Sequence, residues 1–288
     1  MKIITDERCT EYSAPGHPER PARVSATVER LKEQTDVPID WLPPLDVPVS
    51  TLERAHSETQ VVRVKRATTD FDADTPAYPG IYDHAVRSAG GALRALQEVR
   101  AGHSSFSLLR PPGHHSMQDQ AMGFCYFNSI AVSVFEALAT GADNVAVFDF
   151  DVHHGNGTES ILRDHPHTAF FSIHQHPGYP GTGTENVGSN CFNYPQAPRT
   201  PRDQYRATIQ RALDDLKRFG PDLIAVSAGF DAYVRDPIAE ENLEVEDFYW
   251  IGKSLRELDV PFYSVLEGGY STKLPELILA YLKGVEGK

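Results

Sequence analysis

Two aspartates and two histidines follow a short apolar run in the middle of this 288-residue chain. The run, residues 145–148, is β-branched and aromatic, which is typical of a strand buried on both faces of a sheet. Burying the ionisable groups of Asp149, Asp151, His153 and His154 is costly unless a cation neutralises them. Because alternate side chains of an extended segment point to the same side, Asp151 and His153 could bind one metal ion.

The same stretch has a second interpretation, in which the polar residues only start the following helix. Asn156 or Thr158 would then be the N-cap of that helix, and no metal would be needed. The positions of the other polar motifs in the chain favour the metal site.

Those motifs follow five predicted strands, near residues 105–109, 145–148, 169–173, 223–227 and 262–266. The strands alternate with helices, which predicts an α/β fold with a parallel sheet and helices on both faces. Ligands of such sheets bind outside the carboxyl ends of the strands. The side chains expected at this edge are His114, His115, Asp149, Asp151, His153, Ser172, Asp231 and Tyr270.

The remaining elements complete one predicted domain over residues 1–288. Short strands are expected at 1–5 and 41–42. Helices are expected near 21–32, 50–55, 57–67, 81–101, 126–139, 157–163, 202–219, 245–257 and 274–282. Gly90 and Gly91, inside the helix at 81–101, predict a close packing contact there. No repeat, low-complexity tract or linker divides the chain.

Composition bounds the compartment and the partners. The net charge of -13 argues against non-specific binding to nucleic acid or to an anionic membrane. Three widely spaced cysteines suggest neither a disulfide framework nor a cysteine-rich zinc site. The first residues lack the apolar segment of a signal peptide, and no apolar window is long enough to span a membrane. A cytoplasmic protein is expected, and its oligomeric state is left open.

Asp151, His153 and Asp231 form a plausible ligand set of one imidazole and two carboxylates. Such a set leaves coordination positions open and suits catalytic zinc, or Fe²⁺, better than a closed structural site. One histidine of the pair His114–His115 could act as a general base and then as an acid, supported electrostatically by the other. Asp149 and Asn156 are candidates to fix the histidine tautomers.

Three aromatic residues have candidate roles as well. Tyr270, after two glycines, could donate a hydrogen bond to a developing oxyanion. Phe124 and Tyr179 lie on glycine-rich loops and could form the walls of an apolar channel, although aromatic residues in such positions also serve as core.

Taken in order, the motifs resemble those of the zinc-dependent histone deacetylase and acetylpolyamine amidohydrolase family. The matched segments between Arg110 and Tyr270 read R-P-P-G-H-H, G-F-C-Y-F-N, D-F-D-V-H-H-G-N-G-T, P-G-T-G, A-G-F-D-A and E-G-G-Y. The segment from His17 to Arg23 extends the resemblance towards the N-terminus. Asn156 and Glu267 resemble the class II-like, bacterial branch of the family.

The resemblance implies an arginase/deacetylase-like fold and a role for each matched residue. Zinc would be bound by Asp151, His153 and Asp231, and Tyr270 would bind the scissile carbonyl. His115 would be the general base, with His114 as its electrostatic neighbour. The resemblance also implies a structural potassium ion, bound at Asp149, Asp151, His153 and Ser172. It implies in addition that the substrate channel is lined by Asp74, Phe124 and Tyr179.

The implied reaction is zinc-assisted hydrolysis of an N-acetylated amine, and two substrate classes stay open. The short acidic chain favours acetylpolyamines or related small cations, whereas acetyl-lysine on proteins is the alternative. Some polyamine-selective members have an acidic gatekeeper at the position of Ile238, which here is apolar.

Three other functions fit the sequence less well. A dimanganese ureohydrolase needs further carboxylates where Gly155 and Tyr233 stand. A non-catalytic binding module is not expected to retain Tyr270 and both histidines. A dinucleotide site would need glycines spaced G-x-G-x-x-G, and those between Gly178 and Gly188 are not.

Overall fold

The computed structural model describes residues 1–288 and has one parallel eight-stranded sheet as its centre. The strand order is β2-β1-β3-β8-β7-β4-β5-β6, and every pairing is parallel. The strands are β1 Lys2–Ile4, β2 Asp40–Leu42, β3 Ser105–Ser107, β4 Val145–Asp149, β5 Thr168–Gln175, β6 Cys191–Gln196, β7 Leu223–Ala228 and β8 Phe262–Leu266.

Nine α-helices connect and cover these strands. They are α1 Ala22–Glu33, α2 Val49–Leu52, α3 Glu58–Lys65, α4 Ile81–Arg100, α5 Ser129–Ala139, α6 Asn156–Leu162, α7 Arg202–Phe219, α8 Val245–Arg256 and α9 Leu274–Glu286. Helix α9 packs against α1 and α8, whereas α4 packs against α5. The predicted α/β fold with a parallel sheet is confirmed. No helix combines the length and the apolar character needed to cross a bilayer.

The central strands form because their side chains are apolar on both faces. All five residues of β4 are fully buried, and β7 beside it is buried along its whole length. Both therefore belong in the middle of a sheet covered on both faces. Gly90 allows the close contact expected in α4, since a Cβ atom there would lie 2.1 Å from the carbonyl oxygen of Leu45.

One strand was not predicted from the sequence. Strand β6 reads C-F-N-Y-P-Q and lies at the outer end of the sheet, beyond β5. Pro195 cannot donate a ladder hydrogen bond, so it is acceptable only at such an edge. The polar and proline-containing sequence lacks the apolar pattern on which the other strands were recognised.

The five strands that precede the polar motifs are neighbours in the sheet. Their order is β3-β8-β7-β4-β5, so their carboxyl ends form one continuous stretch of one edge. Parallel pairing also aligns Asp149 of β4 with Ser172 of β5 and Ser227 of β7. The fold therefore brings the motifs together although they are more than 150 residues apart in sequence.

Candidate active site

Asp151, His153 and Asp231 converge at the carboxyl ends of β4 and β7. One potential ligand atom from each lies within 4.8 Å of the others. His153 Nδ1 is 3.1 Å from Asp151 Oδ1 and 3.1 Å from Asp231 Oδ2. Both carboxylates are completely buried, whereas the imidazole faces a cavity. The structure thus assembles the three residues that the sequence singled out as metal ligands.

Backbone amides and two glycines hold these carboxylates in place. Gly268 N–H donates to Asp151 Oδ2 at 2.7 Å, and Val152 N–H donates to Asp231 Oδ1 at 2.9 Å. A Cβ atom at Gly268 would lie 2.0 Å from Asp231 Oδ2. A Cβ atom at Gly229 would lie 2.2 Å from Asp151 Oδ2. The carboxylates therefore need glycine at both positions in order to approach each other.

The donor set fits a divalent cation. Asp231 Oδ2 is buried and has no well-oriented hydrogen-bond donor. Burial and the neighbouring Asp151 carboxylate raise the pKa of Asp231. Burial opposes protonation of His153, but Asp231 and Asp151 outweigh it and raise its pKa to about 10. A positive charge between these carboxylates therefore stabilises them, and two carboxylate oxygens with one imidazole nitrogen are ligands that suit Zn²⁺ or Fe²⁺.

His114 lies behind this group and is tied to Asp149. Its Nδ1 atom is 3.1 Å from Asp149 Oδ2, and its Nε2 atom is 3.8 Å from Asp151 Oδ1. Burial disfavours the charged imidazole, yet the carboxylates of Asp151 and Asp149 prevail and raise the pKa of His114 to about 10. His114 is thus suited to hold a positive charge beside the site.

His115 has the opposite environment. Its Nδ1 atom lies 2.8 Å from Asn156 Oδ1, an acceptor, so Nδ1 has the proton and Nε2 has the free lone pair. Burial and the neighbouring His114 and His153 lower the pKa of His115 well below its ordinary value. A neutral imidazole in the cavity wall with a free ring nitrogen can accept a proton.

Glu267 fixes the turn that bears both histidines. Its Oε2 atom accepts the N–H groups of Gly113 at 2.7 Å and His114 at 3.1 Å, and its Oε1 atom accepts the hydroxyl of Ser227 at 3.1 Å. Burial raises the pKa of Glu267 to about 7. The strand end of β8 therefore orients the loop that follows β3.

Tyr270 follows the Gly268–Gly269 turn and lies at the wall of the same cavity. Burial raises its pKa well above the ordinary value, so the phenol retains its proton and can donate it in a hydrogen bond. The Arg23 guanidinium lies 4.7 Å from the centre of the Tyr270 ring, and Arg23 Nε donates to Gly269 O at 2.7 Å. These contacts come from helix α1, at the opposite end of the sequence.

A cavity of about 260 Å³ opens from these groups to the surface. Its lining includes His115, His153 and Tyr270. It also includes the predicted channel residues Asp74, Phe124 and Tyr179, together with Ile238 at the gatekeeper position. The ring centres of Tyr179 and His115 are 5.0 Å apart. Tyr179 and Ile238 are exposed at the mouth, 39% each, so the predicted channel residues extend from the buried site to the solvent.

The other predicted residues lie beneath the cavity lining. His114, Asp149 and Asn156 contact lining residues or metal-ligand candidates without lining the cavity themselves. Ser172 is paired with Asp149 across β4 and β5, and its hydroxyl lies 2.9 Å from His174 Nδ1. This serine is close to the Asp149–His153 segment that the sequence suggested for potassium.

Four site residues were not assigned roles from the sequence. His17 lines the cavity, Arg23 contacts the Tyr270 turn, and Asp236 accepts the Tyr270 N–H at 2.7 Å. The fourth is Glu267, which holds the turn of the histidine pair. The His17–Arg23 segment was noticed as a motif, which was a usable signal. Asp236 had no such signal, because an aspartate before proline in a loop is common.

Comparisons with known proteins cover the whole site. A model of the histone deacetylase domain matches residues 17–284. A probable deacetylase of Methanothermobacter thermautotrophicus is 36% identical over 303 residues, which cover 100% of this chain and 91% of that protein. Acetylpolyamine amidohydrolase 1 of Pseudomonas aeruginosa is 34% identical over 228 residues, 75% of this chain and 66% of that one. The crystal structure of the HDA15 HD domain superposes with a TM-score of 0.92 at 31% identity, covering 100% of this chain and 91% of that chain.

Proposed function

This chain belongs to the histone deacetylase domain family, and from that premise we propose that it is a zinc-dependent hydrolase of N-acetylated amines. The observation that carries the proposal is the convergence of Asp151 and Asp231 on His153, whose imidazole lines one cavity with His115 and Tyr270. The products would be acetate and the free amine. We also propose that residues 1–288 form one catalytic domain.

Asp151, His153 and Asp231 would hold the zinc ion, with Fe²⁺ as the other metal that suits them. The ion would supply Lewis-acid polarisation of the amide carbonyl and would acidify water. A potassium ion is proposed beside it, at Asp149, Asp151, His153 and Ser172. Its role would be structural.

His115 would move the proton during the reaction. Its free Nε2 atom can accept a proton from water while Asn156 fixes the other ring nitrogen. The same proton can then pass to the nitrogen of the departing amine, which completes hydrolysis without net proton uptake by the histidine. His114, held by Asp149, would stabilise the negative charge that develops nearby.

Tyr270 would donate a hydrogen bond to the carbonyl oxygen as that oxygen becomes negative. Its high pKa keeps the phenol protonated, and its place in the cavity wall puts the donor beside a bound substrate. Donors of this kind contribute about 10²–10³-fold to rate.

The proposed substrate is an acetylpolyamine or a related small cation, with acetyl-lysine on proteins as the alternative. The net charge of -13 and the carboxylate of Asp74 in the cavity wall favour a cationic molecule. An acetylpolyamine amidohydrolase is among the relatives. The exposed apolar side chain of Ile238 at the mouth supplies no charge for such a substrate, and would equally suit an aliphatic segment. The three unpaired cysteines are consistent with a cytoplasmic location, which is proposed as well.

Side-by-side assays test the proposal. The zinc-loaded chain is incubated with acetylputrescine, acetylcadaverine, acetylspermidine and an acetyl-lysine peptide, and the released acetate is measured. We expect the highest kcat/KM on one of the three polyamines. A preference for the peptide would select the alternative substrate, and hydrolysis of none of the four would refute the proposed function.

A further inference from the structure

Phe124 has a backbone conformation that aromatic residues rarely adopt. Its φ angle is 70°, and that of Gly123 is 56°. Met122 and Cys125 exchange backbone hydrogen bonds at 3.0 and 2.9 Å, so these four residues form a tight two-residue hairpin. Positive φ at both central positions is what a type I′ turn requires, but Asn-Gly is the usual sequence there. A bulky L-residue is strained in this region of backbone conformation, so the surrounding structure must hold it there.

A second tight turn, residues 72–75, holds the first one in this conformation. Thr75 Oγ1 accepts the N–H of Phe124 at 3.0 Å. Asp72 Oδ2 accepts the N–H of Gly123 at 3.3 Å, and Asp72 Oδ1 accepts the N–H of Asp74 at 2.9 Å. Thr75 is completely buried. The two central amides of the Phe124 turn are thus both bound by side chains some 50 residues away in sequence.

The turn at 72–75 also binds the other wall of the cavity. The carbonyl oxygen of Asp74 lies 3.2 Å from His17 Nε2. His17 Nδ1 lies 3.1 Å from both the backbone nitrogen and the carbonyl oxygen of Glu19. Backbone groups therefore contact both ring nitrogens of His17 and hold the ring in one orientation.

Phe124 is consequently held between two aromatic neighbours. The ring centres of Phe124 and His17 are 4.7 Å apart, and those of Phe124 and Tyr270 are 5.7 Å apart, both edge to face. On the opposite side, a Cβ atom at Gly123 would lie 2.6 Å from the His115 ring and 3.0 Å from the Tyr179 ring. Phe124 and Gly123 therefore pack closely against aromatic rings on both sides of the cavity.

We infer that the turn at residues 72–75, acting through Thr75 and Asp72, sets the width of the cavity and thereby selects unbranched N-acetylated amines. Neither residue lines the cavity; they are positioning residues for Phe124. Without their hydrogen bonds, Phe124 relaxes towards negative φ and its ring leaves the gap between His17 and Tyr270. The inference rests on the proposed function and adds a selectivity determinant to it.

The test compares two substrates in several variants. The unbranched substrate is the best of the four acetylated compounds, and its partner has one extra methyl group on the carbon bonded to the acetylated nitrogen. The measured quantity is kcat/KM for the unbranched substrate divided by kcat/KM for the branched one. This ratio does not depend on the fraction of active protein, so a merely structural loss leaves it unchanged.

Thr75→Val keeps the side-chain shape and removes the acceptor. We expect it to lower the ratio about three- to tenfold, the effect of losing one buried hydrogen bond. Thr75→Ser keeps the hydroxyl and should retain the wild-type ratio. Thr69→Val makes the same replacement at an exposed position nearby and should also leave it unchanged. If Thr75→Val does not fold, the partly exposed Asp72→Ala gives the test, with a fall in the same direction expected.

The outcomes separate the inference from the proposed function. An unchanged ratio in folded Thr75→Val and Asp72→Ala would overturn the inference while the proposed function stands. A wild-type chain that hydrolyses none of the acetylated amines would refute the proposed function and the inference with it. Crystal structures add a readout that needs no activity: Phe124 should keep positive φ in the wild type and in Thr75→Ser, but not in Thr75→Val.

Discussion

Asp236 accepts the backbone N–H of Tyr270 at 2.7 Å through one buried carboxylate oxygen, which also accepts the N–H of Ser271 at 3.1 Å. Its other oxygen accepts the N–H of Ile238 at 3.1 Å. One side chain therefore joins the mouth of the cavity to the turn that bears the proposed oxyanion donor. The tyrosine is positioned by an aspartate that lines no part of the cavity.

Asp236→Asn should lower kcat about tenfold with little change in KM, because the amide keeps one acceptor and turns an NH₂ group against a backbone N–H. Steady-state kinetics and metal content measure the effect. Asp259→Asn, at an exposed position, is the matched control. A loss of bound metal in parallel with kcat would mean that Asp236 supports the metal ligands and not Tyr270.

Tyr270→Phe should reduce kcat by about two or more orders of magnitude and leave metal binding intact, because it removes one hydrogen bond made mainly in the transition state. Turnover on the best substrate and metal content are the measurements. Tyr249→Phe, on α8 and partly exposed, should have wild-type activity. Near-normal turnover of Tyr270→Phe would exclude the proposed role of this phenol.

The buried ion pair of Glu19 and Arg110 should dominate the stability of the N-terminal loop. Arg110 Nη2 donates to Glu19 Oε2 at 2.7 Å, and both side chains are almost completely buried. Glu19 Oε1 also lies 3.3 Å from Nη1 of the buried Arg23. Glu19→Ala therefore leaves two buried guanidinium groups without their carboxylate, so the free energy of unfolding should fall by about 3–5 kcal/mol. Denaturant titration measures the loss.

An exposed ion pair is the control for that experiment. Arg54 and Glu136 are 2.8 Å apart at the surface, so Glu136→Ala should cost no more than about 1 kcal/mol. Replacing Glu19 by Leu and Arg110 by Met together leaves only Arg23 without its carboxylate and should recover part of the loss. Equal effects of Glu19→Ala and Glu136→Ala would contradict the importance of the buried pair.

His56 should make the folded state sensitive to mild acid. It is buried, and burial lowers its pKa to about 4. Asn128 N–H donates to His56 Nε2 at 2.8 Å, so this nitrogen must be unprotonated, and Nδ1 donates to Met117 O at 3.0 Å. The unfolded chain takes up the proton near pH 6.5 and the folded chain only near pH 4.

The contribution of neutral His56 to the free energy of unfolding is therefore fully present above about pH 6.5. It is lost progressively as the pH falls towards 4, by up to about 3 kcal/mol. Denaturant midpoints measured across this range check the expectation. His56→Gln can accept the Asn128 N–H and donate to Met117 O without titrating, so its slope with pH should be smaller. An identical slope in both proteins would place the acid sensitivity elsewhere.

Much of the fold was predictable because its signals are local. The apolar runs of β4, β7 and β8 and the helical periodicity of α7 place those elements almost residue by residue. The edge strand β6 was missed, since an edge needs only partial apolar character and tolerates Pro195. The carboxyl ends of neighbouring parallel strands lie at one edge of the sheet, and this rule alone predicted that Asp151 and Asp231 lie at the same edge.

The supporting contacts could not be predicted, because they depend on loop geometry. Arg23 and Gly269, which share a hydrogen bond, are 246 residues apart in sequence, and neither residue type indicates the other as its partner. Thr75 and Phe124 are related in the same way: the positive φ of Phe124 has no signature in a sequence where only the preceding residue is glycine. Such contacts follow from the packed structure alone.

The proposed hydrolysis depends on one divalent ion held by Asp151, His153 and Asp231. Metal analysis of the purified chain and of Asp231→Asn, combined with acetate release before and after chelation, tests it most directly. We predict about one zinc or iron per wild-type chain, much less in Asp231→Asn, and hydrolysis that chelation abolishes and added Zn²⁺ restores. Two manganese ions per chain, or full hydrolysis by metal-free protein, would contradict it.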